Sequence, residues 1–99
     1  MVIVVSEIFP PESAKDVGKG FAEQPQLPDY LKMMGPYLRG SALQGIQSLV
    51  IFEVDASKMA DAMIVLGNRY AKYIGIPGFK YSINVWYDVM EALAMVGLA

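Results

Sequence analysis

The chain has 99 residues, of which 55% are hydrophobic and 18% charged; its net charge is −2 and it holds neither cysteine nor histidine. A chain of this length reads as one domain, residues 1–99, and buries roughly 60–70% of its unfolded surface, so the apolar content points to a covered surface beyond one small core. Disulfides, zinc–thiolate centres, thiol nucleophiles and the commonest general base near neutral pH are excluded by composition.

The charge balance and the lack of a basic cluster argue against nucleic acid as a partner. No run approaches the ~18 apolar residues of a membrane span. The segment Met1 to Phe9 has no basic leader and contains Glu7, so neither a signal peptide nor a membrane is expected, and a cytoplasmic location is the default expectation.

Val2 to Phe9 (VIVVSEIF) is β-branched and ends at Pro10-Pro11, which predicts a first strand. Ser13 with Asp16 has the spacing of a capping box, and Ala14, Val17 and Phe21 follow at helical intervals to about Glu23. Gly18 and Gly20 weaken that helix by ~1 kcal/mol each relative to alanine. Gln24 to Asp29, with two prolines, is a connection. Tyr30 to Gly40 is ambiguous. As a helix it is interrupted by Gly35-Pro36; as a strand it must place Pro36 at a sheet edge. The edge strand is the preferred reading, with a turn over Ser41 to Gly45.

Ile46 to Val54 (IQSLVIFEV) is the clearest strand. Asp55 or Ser57 opens a helix to about Ile74, with Met59, Met63, Leu66, Tyr70 and Ile74 on its apolar stripe. Gly75 and Pro77 end it. Phe79 to Tyr87 alternates as a strand, and Asp88 with Glu91 caps a final short helix through Val89, Leu93 and Val96.

The order β-α-β-β-α-β-α, carried by SLVIFEVDASKMADA (48–62) and GFKYSINVWYDVMEAL (78–93), resembles the ferredoxin-like fold and, more narrowly, the dimeric α+β-barrel superfamily. The resemblance implies an α+β fold: a βαββαβ sandwich with a C-terminal helix, a four-stranded antiparallel sheet and helices on one face. It also implies a homodimer formed through the other face. Members include cofactor-independent monooxygenases, haem-handling enzymes and ligand-sensing domains, and fold does not choose among them. The haem branch commonly uses a histidine ligand, which this chain lacks; no cofactor is expected.

Alternation assigns one sheet face to Val2, Val4, Ile8, Ile46, Val50, Phe52, Phe79, Tyr81, Ile83 and Val85, which should lie beneath the helices. The other face takes Ile3, Val5, Glu7, Phe9, Gln47, Leu49, Ile51, Glu53, Lys80, Ser82, Asn84 and Trp86. Left open, it would expose more than the ~300–600 Å² apolar patch usual for a monomer. A twofold-related copy is the commonest cover.

With the first and third strands taken as central neighbours running the same way, Glu7 and Glu53 meet at one end of that face. Two shielded carboxylates would raise one pKa and supply a general acid or base; alternatively Lys80 neutralises them as a structural salt bridge. Two carboxylates alone make a poor metal site, and no metal is expected. Asn84 and Trp86, with Ser82 and Lys80, offer a platform for a small apolar or aromatic ligand, or an interface anchor. RYAKY (69–73) reads as a solvated helix end and the seven methionines as adaptable core fillers. The favoured function is small-molecule binding in an inter-sheet cavity. The alternatives are monooxygenase-like catalysis on an aromatic substrate and a purely structural or regulatory interaction module.

Overall fold

A computed structural model describes residues 1–41, 43 and 45–99. Strand β1 (Val2–Phe9) leads through a 3-10 turn into α1 (Ala14–Ala22); β2 (Lys32–Ser41) and β3 (Gly45–Glu53) form a hairpin. Helix α2 (Met59–Ala71), β4 (Lys80–Trp86) and α3 (Val89–Met95) complete the chain. The four strands form one sheet in the order β2-β3-β1-β4, and every neighbouring pair is antiparallel. This is the α+β arrangement that the element order implies, with α1 and α2 on one face.

The segment over residues 30–40 is an edge strand. Its pairing with β3 slips by one residue between Met34↔Ile51 and Tyr37↔Leu49, so Gly35 and Pro36 form a bulge. A proline there leaves no ladder donor unpaired. Gly35 has φ +94°, and a Cβ on it would stand 2.9 Å from the Leu49 carbonyl oxygen, so glycine is required. The extra residue also reverses the alternation: Met34 and Tyr37 pair with Ile51 and Leu49 on the open face, while Leu38 pairs with Ser48 on the helix side. Of the expected turn over Ser41 to Gly45, residues 42 and 44 lie outside the described residues. Ser41 and Gly45 already pair as strand residues.

The core joins Ile3, Val5 and Phe9 of β1 and Val50 and Phe52 of β3 to Val17 of α1 and Ala62, Leu66 and Tyr70 of α2. Two helix expectations change at their ends. Ser13 makes no cap hydrogen bond; its hydroxyl donates instead to the Pro77 carbonyl at 2.6 Å, tying the start of α1 to the loop before β4. Helix α2 stops at Ala71, so Ile74 falls past its end and is exposed. The capping box at α3 forms as expected: Glu91 N donates to Asp88 Oδ1 at 2.8 Å and Asp88 N to Glu91 Oε1 at 3.0 Å.

The face assignment of β1 is corrected. Ile3 pairs with Phe52 and Val85, and Val5 with Val50 and Ile83, so the odd residues of β1 lie beneath the helices. Val2, Val4, Ser6 and Ile8 belong to the open face with Gln47, Leu49, Ile51, Glu53, Lys80, Ser82, Asn84 and Trp86. Both alternating sets of β1 are apolar, so periodicity alone cannot distinguish them. Among the described residues, no helix is long and apolar enough to cross a membrane.

Candidate functional site

The central strands run in opposite directions, which separates the two glutamates proposed as a pair. Glu7 is opposite Ser48, whereas Glu53 is opposite Val2. Five register steps at about 3.3 Å each place them on the order of 17 Å apart along the sheet, and on opposite faces. Lys80 pairs with Ile8 and points away from Glu7. The expected carboxylate pair and its neutralising lysine do not assemble. Among the described residues, no group of three or more His, Cys, Asp or Glu side chains could hold a metal ion.

Glu7 instead lies on the helix side of β1, a carboxyl directly under α2. Its strand neighbours there are Ser48 and Tyr81, and Tyr70 descends on it from α2. Burial raises the Glu7 pKa above the usual glutamate value, while hydrogen bonding from Ser48 and Tyr70 and the positive charge of Arg69 oppose the rise. Desolvation outweighs the compensation. Tyr70 is held strongly in its neutral form, first by burial and then by the Glu7 charge. Tyr73 is raised chiefly by burial.

These groups stand in a cavity of about 400 Å³ between the sheet and the helices. Glu7, Ser48 and Tyr70 supply polar atoms. Phe9, Ile46 and Tyr73 form apolar walls, and Val17, Gly18 and Phe21 of α1 close one side. Pro36 and Leu38 reach the cavity because of the β2 bulge. Gly18 is exposed, and a Cβ there would meet nothing within 4 Å. The aromatic wall is fixed from behind: Tyr73 stacks on Phe79 with ring centres 4.9 Å apart, and Tyr70 packs against Tyr73 at 5.8 Å and Tyr81 at 5.7 Å.

Arg69 stands outside this lining. Its Nη1 donates to the Pro25 carbonyl at 3.2 Å, its guanidinium lies 6.0 Å from the Phe21 ring centre, and its own carbonyl accepts from Gln24 Nε2 at 2.8 Å. Arg69 therefore anchors the connection after α1 to α2 and acts on Glu7 through its charge.

The ligand platform expected on the open face divides. Lys80 and Ser82 line a depression of about 290 Å³ with Ser6, Ile8 and Gln47, bordered also by Glu7 and Tyr81; Asn84 and Trp86 lie further along the strand, outside it. A larger groove of about 460 Å³ runs over Ser6, Tyr37, Arg39, Gln47 and Leu49. Both rest mainly on one sheet surface, so an occupant would keep much of its area in water. The helix-side cavity has walls on the sheet and on both crossover helices, which is how small-molecule sites bury most of a ligand. The sequence singled out Glu7 as one half of a carboxylate pair with Glu53. Ser48 and Tyr70 were hidden as ordinary members of a strand and a helical stripe.

Comparison with protein-family models, curated proteins and solved structures finds no match to this chain.

Glu7→Gln should stabilise the protein near neutral pH. Because the folded-state pKa is raised, the contribution of Glu7 to stability is complete below the unfolded value of about 4.3 and is lost as pH rises through the folded value. The glutamine keeps hydrogen-bonding atoms for Ser48 and Tyr70 but carries no charge to desolvate. Thermal unfolding should place the variant a few degrees above wild type at about pH 7, with the difference shrinking toward about pH 4. A variant less stable than wild type at about pH 7 would contradict the placement of Glu7.

Proposed function

We propose that this domain binds a small, mostly apolar molecule in the cavity between the sheet and α1 and α2, with Glu7 fixing the ligand's polar end. The observation that carries this reading is a single desolvated carboxyl, flanked by two hydroxyls, at the base of an otherwise apolar cavity. An unused, partly desolvated carboxyl opposes folding, and such costs are retained where function requires them. The reading keeps small-molecule binding but moves the site from the open sheet face to the helix side.

Acid–base catalysis on an aromatic substrate, as the monooxygenase resemblance implies, would use the same residue. A carboxyl with a raised pKa is suited to holding or accepting a proton near neutral pH. Binding ranks first because it requires only the cavity and its polar atoms.

The neutral dye N-phenyl-1-naphthylamine tests the binding site. Its fluorescence should saturate at one dye per chain. Gly18→Trp, which puts a large side chain in the lining, should weaken binding by roughly tenfold or more, whereas Trp86→Ala on the open face should leave it unchanged. Dye binding that survives Gly18→Trp but is lost in Trp86→Ala would return the site to the open face.

The dimer belongs to the same proposal, through the surface that the superfamily resemblance implies. Leu49 and Trp86 are exposed on the open face, and Val89, Met90 and Met95 of α3 are exposed beside the end of β4. A second copy is the economical cover for this surface. Sedimentation should show a dimer at micromolar concentration, and Ile51→Lys, which sets an unpaired charge in the interface, should yield monomer. A monomeric wild type would contradict the dimer without touching the cavity.

A further inference from the structure

We infer that the cavity takes an organic cation: an amine or quaternary ammonium on an apolar body, with its charge set between the Glu7 carboxylate and the surrounding aromatic rings. This deepens the binding reading and rests on it. Among the described residues Glu7 is the only charged side chain in the lining, and the rings of Phe9, Phe21, Tyr70 and Tyr73 line the same space. A carboxylate with several rings is the recurrent way to hold an ammonium group, because each ring presents a negative face.

The alternatives fit the lining less well. An anionic ligand would meet Glu7 with no basic side chain in the wall to offset it. A neutral apolar ligand would remove still more water from a carboxyl that burial already disfavours as a charge, without supplying a partner. A cation supplies the missing partner. The Ser48 and Tyr70 hydroxyls satisfy part of the carboxylate's hydrogen-bonding capacity, and the Tyr70 phenol stays neutral beside it.

Arg69 is a cation whose charge acts on Glu7. Its guanidinium is committed to the Pro25 carbonyl and to the outer side of the Phe21 ring. It reduces the field of Glu7 without lining the cavity.

Displacement of N-phenyl-1-naphthylamine at about pH 8 by phenyltrimethylammonium and by tert-butylbenzene, its uncharged carbon isostere, tests the inference. Shape and size are nearly the same, so the ratio of the two competitors reports charge. The cation should displace the dye at roughly tenfold lower concentration in wild type, although the hydrocarbon is the more hydrophobic. Glu7→Gln should bring the ratio to about one or reverse it. Phe21→Leu, at a residue 42% exposed on α1, should reduce the ratio severalfold without disturbing the fold. Equal displacement by both compounds in wild type, or a cation preference that survives both substitutions, would overturn the inference while leaving small-molecule binding standing. Displacement by neither compound from a dye-binding protein would overturn it too. Failure of the dye itself to bind would instead remove the binding reading on which the inference rests.

Discussion

Strand β1 is paired on both edges, and that double pairing determines where everything else lies. Val5 is held opposite Val50 on one side and Ile83 on the other, so a one-residue slip would turn the whole strand over in two ladders at once. In the observed register Ile3 and Val5 are fully buried beneath the helices. The same register that buries them carries Glu7, two and four residues on, to the same side. The position of the carboxyl is therefore imposed by the burial of its apolar neighbours. Ser48 and Tyr70 arrive next to it from β3 and α2, and they soften the cost of its burial without removing it.

The space around Glu7 has its own causes. Helix α1 is short and borders the cavity with Val17, Gly18 and Phe21. Gly20 lets the same helix approach Tyr73 closely: a Cβ there would stand 3.0 Å from the tyrosine ring. On the opposite side the bulge at Gly35-Pro36 turns Leu38 inward to the rim. Neither glycine contributes to the hydrophobic stripe of α1, and both weaken its helical propensity. Local helix preference is thus given up along this wall, at Gly20 for the close approach of Tyr73.

Much of the fold was legible in the sequence because its elements announce themselves chemically. IQSLVIFEV could only be a strand, the Met59-to-Tyr70 stripe could only be a helix, and Asp88 with Glu91 forms the capping box that its spacing promises. The edge strand was only half legible, since Gly35-Pro36 interrupts a helix and is tolerated in a strand only where no ladder donor is needed. The facing of β1 was not legible, because Val2, Val4 and Ile8 are as apolar as Ile3, Val5 and Phe9. Glu7 then misled: an acid in such a strand suggests the open side, whereas this one is half-buried against a serine and a tyrosine. The direction of the central pair decided the rest. Taken as running the same way, β1 and β3 bring Glu7 and Glu53 together; paired antiparallel, they send them to opposite ends. The site consequently keeps one of its two expected carboxylates and gains Ser48 and Tyr70, which no spacing rule distinguishes from core residues.

One half-buried carboxyl with a tyrosine beside it carries the chemistry of the helix-side cavity. Carbon-13 NMR of the side-chain carboxyls, with Glu7 assigned by its loss in Glu7→Gln, measures this directly across a pH titration. Glu7 should titrate above the ordinary glutamate value of about 4.3, and the Tyr70 ring resonances should shift with the same midpoint as the neighbouring charge appears. A Glu7 midpoint at or below the ordinary value, with Tyr70 unresponsive, would mean that the carboxyl is solvated and that the cavity is not its environment.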